Sequence, residues 1–357
     1  MTSRERILKT LLREPVDHIP MAVTGVCHGS TRFLNRSFET PFDEADYLSS
    51  IGLDTAVSLR VSRIISSDGV EIRYRTENVA GESNPIWVKE YVTPSGSLRQ
   101  SIRRDAGYEH DSIPLFCDDH APPRRSYKYL VDSEEELTVL KRLLKAPKRN
   151  ELDVAYEFAE AARAYCDANG ILMSAPLLGV GDPLMLFSGI ENILFAAMDE
   201  PGFLHKYINI LSDWNLELLR IWIDMGADMI LRRGWYESSD FWSPGLYREF
   251  LLEPLRREVD LAHDAGLKYA YIMNSGVTPL ADELAKIGID ILANVEPDKN
   301  DLALIKQKLR AGRRSAPGST ITTCLRAARN ATSRTRSFAR WRPSRPPAVL
   351  FWPRATA

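Results

Sequence analysis

The chain has 357 residues, 44% hydrophobic and 26% charged, with a formal net charge of −2. That composition excludes a disordered or fibrous protein and leaves room for one large core, since α/β barrels of this size are often single domains. No run approaches the roughly 18 apolar residues of a membrane helix, and Cys27, Cys117, Cys166 and Cys324 lie far apart with no CxxC pair. The opening Met-Thr-Ser-Arg-Glu-Arg enters a charged amphipathic pattern without a signal-peptide core, so a cytoplasmic protein with reduced thiols is expected. The small net charge hides an asymmetry: residues 311–357 hold ten Arg and no Lys, Asp or Glu, which leaves 36 basic against 48 acidic groups in residues 1–310.

Thr2-x-x-Glu5 is a capping box opening a helix with Ile7, Leu8, Leu11 and Leu12, which Pro15 ends. His18–Gly25 reads as a first buried strand and Asp54–Arg60 as a second. Short alternating stretches between 70 and 104, with the turn Thr93-Pro-Ser-Gly96, predict a β-hairpin insertion. A helix over 151–169 follows, with Val154, Phe158, Ala162 and Tyr165 on one face and Gly170 as its stop. The strand Ile171–Pro176 leads through Gly179-Val-Gly-Asp-Pro183 to a long helix carrying Leu204, Ile208, Leu211, Leu218 and Trp222 and stopping at Gly226. Asp228–Leu231 is the next strand. Ser243-Pro244 caps a helix running through Tyr247, Phe250, Leu255 and Val259, with His263 on its exposed side. Lys268–Met273 and Asp290–Val295 are strands, and 278–287 and 301–310 are helices.

This alternation predicts an α/β fold of (β/α)8 TIM-barrel lineage, with about six βα units intact in a domain over 1–310. Beyond Arg310 both periodicities vanish, so the last two units are read as lost. The acid-free, Arg-rich tail 311–357 is read as disordered and out of frame, not as a nucleic-acid arm. Codons for Ser319–Cys324 and Trp341–Pro353 can be chosen that give, in a shifted frame, Asn-His-His-His-Leu and a glycine turn with an apolar strand.

Working residues of parallel barrels sit at the C-terminal strand ends and the loops after them. Those positions are Cys27 and His28, Arg60 and Arg63, Asp182, the stretch Arg233–Trp242, Asn274 and Glu296-Pro-Asp298. In the 233–242 loop Glu237 lies beside Trp235 and Tyr236, with Asp240 beyond. Aromatics next to a carboxylate can stack on an apolar ligand and raise the acid's pKa by desolvation. Glu237, Asn274 and Glu296 are therefore the catalytic candidates, and Glu237 the best candidate metal ligand. His28, Arg60, Asp182, Trp235, Tyr236, Asp240 and Asp298 are the substrate-binding candidates. Arg60 and Arg63 could clamp a carboxylate or pair with Asp182. Gly179-x-Gly181 has too few glycines for a phosphate loop.

Glu14-Pro-Val-Asp-His-Ile-Pro20, Gly181-Asp-Pro, Asp199-Glu-Pro-Gly-Phe-Leu-His205, Gly226-Ala-Asp228, Ser243-Pro-x-x-Tyr-x-x-Phe-x-x-x-Pro254 and Gly288-Ile-Asp290 occur in the order and spacing of the uroporphyrinogen decarboxylase superfamily, which the chain resembles over roughly 1–310. The resemblance implies a barrel enzyme acting on a small molecule, with no nucleic-acid or membrane partner and a homodimer as one assembly. The decarboxylases' Arg-Gln-Ala-Gly-Arg stretch is replaced by Thr24-Gly-Val-Cys-His-Gly29, so uroporphyrinogen decarboxylation is the alternative expectation. The zinc-binding His-x-Cys of the methyltransferase branch is replaced by Met273-Asn274-Ser275, so zinc is not expected. The leading expectation is methyl transfer involving a corrinoid carried by a partner protein; an inactive truncated relative is the third.

Overall fold

The computed structural model describes residues 1–21, 38–61, 63–117, 125–311 and 322–325. Six strands form one parallel sheet in the order β1 (Ala56–Ser58), β6 (Leu172–Leu178), β7 (Met229–Arg233), β8 (Lys268–Ile272), β9 (Ile291–Val295) and β10 (Thr322–Leu325). A second sheet is antiparallel, with β2 (Glu71–Glu77), β3 (Ile86–Thr93), β4 (Gly96–Arg103) and β5 (Ser126–Lys128) in sequence order. The helices are α1 (Ser3–Leu12), α2 (Pro41–Ser50), α3 (Glu136–Leu143), α4 (Asp153–Asn169), α5 (Gly181–Ser188), α6 (Ile190–Asp199), α7 (Pro201–Asp224), α8 (Leu252–Asp264), α9 (Ala281–Ile287) and α10 (Leu302–Ala311). This is the expected α/β architecture of a partial (β/α)8 barrel.

Strands of a parallel sheet covered on both faces read as continuous apolar runs. Here the two faces differ in size. Ala56, Leu172, Met229, Leu231, Ala270, Ile272 and Ile291 form a small inner cluster, closed by Ile7 and Leu11 of α1. Val57, Met173, Ala175, Leu177, Ile230, Tyr269, Tyr271 and Leu292 face the helices in a much larger cluster holding Trp214, Trp222 and Trp242. The capping box of α1 forms as read, with Thr2 Oγ1 accepting from Glu5 N at 3.2 Å and Glu5 Oε2 accepting from Thr2 N at 2.9 Å. All five stripe residues expected on α7 are buried.

One device recurs at the N-terminal ends of the strands. Asp54, Asp228 and Asp290 stand just before β1, β7 and β9, and each carboxylate accepts a neighbouring segment's backbone N–H: Met21 at 2.9 Å, Met173 at 2.7 Å and Tyr269 at 2.8 Å. Each also meets a base, namely Arg6, Arg4 with Arg163, and His263 with Lys268. His263, expected on an open surface, is thus tied to Asp290 at 2.7 Å, because α8 lies against the start of β9. Burial alone would push the Asp290 carboxyl up, but His263, the Tyr269 N–H and Lys268 outweigh it and hold the pKa below its usual value. A carboxylate with a depressed folded pKa contributes stability above the ordinary carboxylate range and loses it as pH falls through the folded value. Asp290→Asn is therefore expected to cost about 1–3 kcal/mol near pH 7 and almost nothing near the acid limit. Urea midpoints across that range check it, and a penalty independent of pH would count against it.

Three readings are corrected. The buried face of α4 is Ala155, Ala159, Ala162 and Cys166, one position on from the expected stripe, and Val154 is exposed. Small side chains let the helix approach the sheet, while Phe158 and Tyr165 pack sideways on Phe42. The expected hairpin is a four-stranded sheet, because residues far along the chain return as β5 to pair with β4. Finally, Thr322–Leu325, inside the stretch read as structureless, is a strand parallel to β9. Thr-Thr-Cys-Leu has the β-branched and apolar character that favours a strand. The first expected strand falls largely on 22–25, which with Cys27 and His28 lies outside the described residues.

Candidate functional site at the C-terminal rim of the parallel sheet

The ends of β6 to β9 and the loops after them bring most of the named residues to one rim. β7 organises it, because successive strand residues point to opposite faces. Arg232 points outward to the helices and is wholly buried, and Arg233 points to the rim.

Arg232 sits between two carboxylates. Its Nη2 donates to Glu237 Oε1 at 3.0 Å, its Nη1 donates to Glu237 Oε2, and its Nε donates to Glu258 Oε2 at 2.7 Å. Glu237 also accepts the Tyr271 hydroxyl and, at 2.9 Å, the Gly181 N–H at the start of α5. Glu258 accepts from Tyr269 at 2.5 Å and from Asn215 at 2.9 Å. Burial works against the Arg232 charge, yet the two carboxylates hold its pKa well above the ordinary value. Tyr269 and Tyr271 are raised well above theirs, by burial first and then by the same carboxylates, so both stay protonated as donors. Glu237, with no exposed surface, has both oxygens occupied. Its expected place beside a ligand is taken by a fixed clamp joining β7, β8 and the turn after β6. The glycines of that turn make room for it: a Cβ on Gly179 would come within 2.5 Å of Glu237 Oε1, and one on Gly181 within 2.5 Å of Glu237 Cγ.

At the rim, the Arg233 guanidinium lies 2.7 Å from the buried Asp182 carboxylate and 4.5 Å from the centre of the Trp235 ring. Trp235 is half-buried, and its indole N–H is buried without a partner among the described residues. Trp242 Nε1 donates to the Tyr236 carbonyl at 2.8 Å, which shapes the loop. Asp240, at the loop's exposed tip, accepts from Ser275 Oγ. Lys299 Nζ reaches Ser275 Oγ and Glu296 Oε2, each at 3.2 Å. Asn300 closes the arc, donating to the Ser275 and Glu296 carbonyls and accepting from Val277 N at 2.7 Å. Asn274 is half-buried, and its amide makes no hydrogen bond to a described residue.

The rim therefore gathers Asp182, Trp235, Tyr236, Asp240, Asn274 and Glu296. Asp298 is exposed on the turn Pro297–Lys299. Arg60 is exposed at the end of β1, and Arg63 pairs with Glu151 at 3.4 Å, so neither binds Asp182. The sequence reading gave no role to Arg232, Glu258, Tyr271, Lys299 or Asn300; only the adjacent arginines ending an apolar strand hinted at the first. Among the described residues no three His, Cys, Asp or Glu side chains converge as a metal site. With Met273-Asn274-Ser275 in place of the thiol and imidazole ligands, the residues present do not fit zinc.

Residues 138–311 match the family described as uroporphyrinogen decarboxylase (URO-D). A methyltransferase from Methanosarcina mazei shares the fold at 15% identity and a TM-score of 0.54, over 90% of this chain and 83% of that one. A 3-keto-D-glucoside 4-epimerase from E. coli (14% identity, 54% and 85% covered, TM-score 0.26) and an isomerase from Streptomyces coelicolor (10%, 74% and 64%, 0.22) are too distant to carry an argument. No curated protein matches the chain. No helix among the described residues is long and apolar enough to cross a membrane. With this barrel and this rim, residues 138–311 are similar to the uroporphyrinogen decarboxylase family, and the fold is that of the Methanosarcina mazei methyltransferase.

Proposed function

We propose that this chain moves a methyl group between a small methylated donor, such as a methoxylated aromatic, and a corrinoid carried by a partner protein. The observation that carries this reading is the stack of Asp182, Arg233 and Trp235. It sets an aromatic wall at the rim, while the adjacent cation is neutralised by Asp182. Such a wall suits a flat, uncharged donor, with the Asn274 amide meeting its oxygen. When the methyl–oxygen bond breaks, the electron pair stays on that oxygen, and Lys299, within reach of Ser275 and Glu296, stands near to supply a proton or balance the charge. Glu237 serves here as a positioning residue, gripping the Gly181 N–H next to Asp182. The fold shared with a methyltransferase supports the same direction.

A substrate bearing several carboxylates fits this rim poorly. Arg233 and Lys299 are each matched by an acid, and Asp240 and Asp298 add negative charge, so no coproporphyrinogen is expected from uroporphyrinogen. The test is enzyme-dependent formation of methylcobalamin from free cob(I)alamin and a methoxylated aromatic. Trp235→Ala is expected to lower kcat/KM at least tenfold, which corresponds to about 1.4 kcal/mol, with little change in unfolding midpoint. A folded chain that forms no methylcobalamin with any such donor would sink the proposal in favour of an inactive relative.

A further inference from the structure

Outside the barrel, the antiparallel sheet holds a lysine whose surroundings call for an anion. Lys89 on β3 lies across from Tyr74 of β2 and Gln100 of β4. It is only 6% exposed. Its ammonium is 4.8 Å from the Tyr91 ring centre and 5.5 Å from that of Tyr74, and it donates to the Ile113 carbonyl at 2.8 Å. No carboxylate of a described residue lies within ion-pair distance, so of three N–H donors two have no acceptor among the described residues. Tyr91, 1% exposed, buries a hydroxyl that also lacks a partner among the described residues. An ammonium withdrawn from water is costly unless it meets an anion, and the aromatic faces compensate only in part. A cleft of about 390 Å³, walled by Thr76, Trp87, Val88 and Ser112, shares Tyr74 and Ile113 with this cage, and Lys89 and Tyr91 do not themselves line it.

We propose that this pocket binds a small monocarboxylate with a flat apolar body, its carboxylate against Lys89 and its body along Trp87 and Tyr74. One cation and neutral hydroxyls suit a single negative charge, and Asp111 at the rim disfavours a dianion; Arg75, also at the rim, is engaged by Glu77 at 2.6 Å. Of the groups facing the cage, Tyr74 and Tyr91 are raised by burial and stay neutral through pH 9, whereas burial pushes Lys89 down to about 8. Raising the pH from 7 to 9 therefore removes most of the ammonium and is expected to weaken binding roughly tenfold.

The experiment is calorimetric titration of the full chain with benzoate, with the neutral isostere benzamide as control and inorganic phosphate as the dianionic arm. Saturable benzoate binding is expected, weaker at pH 9 than at pH 7, at least tenfold weaker in Lys89→Met, and absent for benzamide. The Met side chain fills the same space without a charge, so the variant is expected to fold; Lys89→Arg, which keeps the charge, should retain binding. Benzoate that binds Lys89→Met as well as the native chain, or no binding at millimolar benzoate, overturns the site. Phosphate bound more tightly than benzoate overturns the assignment to a monocarboxylate.

Discussion

Arg232→Met is expected to destabilise the protein by about 3–5 kcal/mol, the cost of leaving buried charge without its partner. At roughly 2–4 °C per kcal/mol for a domain of this size, the melting midpoint should fall by about 10 °C. The guanidinium is wholly buried between Glu237 and Glu258. Its removal leaves two carboxylates, both buried away from solvent, facing each other across tyrosine hydroxyls. Glu237→Gln should cost less, because Arg232 keeps Glu258 and an amide oxygen can still accept the Gly181 N–H. Adding Glu237→Gln to Arg232→Met should then recover part of the loss, since one orphaned charge disappears. Arg232→Lys is expected to behave more like Met than like Arg, because a point charge cannot bridge both carboxylates as the planar fork does. Thermal unfolding of the four variants measures this; an Arg232→Met chain within 1 kcal/mol of the native one would show that the clamp matters little. The proposed methyl transfer should fall with the clamp too, because Glu237 fixes the turn that presents Asp182 to Arg233.

The sequence made some of this legible and hid the rest for identifiable reasons. Capping and helical stripes are local signals, and they place α1, α7 and the Ser243 cap, whose side chain accepts from Leu246 N. The face of α4 was misjudged by one position because size, not hydrophobicity, decides which side meets the sheet: alanines and Cys166 go in and Val154 stays out. β5 escaped because its pairing to β4 is set by tertiary return and not by a short turn. Six of the candidates read from strand ends share one rim. What periodicity could not separate is Arg232 from Arg233, or Glu237 from Asp240: each pair is alike in chemistry and close in sequence, yet one member is sealed behind the sheet and the other stands at the rim. A buried polar network reads as polar residues and therefore as surface. Lys89 was hidden in the same way.

The same clamp makes a sharper statement about glycine. Gly179-x-Gly181 carries no phosphate-loop signal, and the structure gives it a different reason to lack side chains. A Cβ on Gly179 would stand 2.5 Å from Glu237 Oε1, 2.8 Å from Arg232 Nη1 and 2.7 Å from the Arg233 carbonyl. The first two atoms could shift only by breaking the clamp, and the third is backbone of β7, to which Gly179 N already donates at 2.6 Å. Gly179→Ala is therefore expected to cost about 3 kcal/mol, the upper range for overpacking, and to depress the proposed methyl transfer further by displacing Asp182. Gly202→Ala is the matched control: it lies in the first turn of α7 with open space around its Cα, so the added methyl should be neutral or stabilise by up to about 1 kcal/mol through helix propensity. If denaturant midpoints put both variants level with the native chain, the close approach of Glu237 to the turn is not a constraint on this fold. If Gly179→Ala alone loses both stability and activity, the turn's glycines are there to admit the carboxylate, and Glu237 acts on chemistry through position and not through proton transfer.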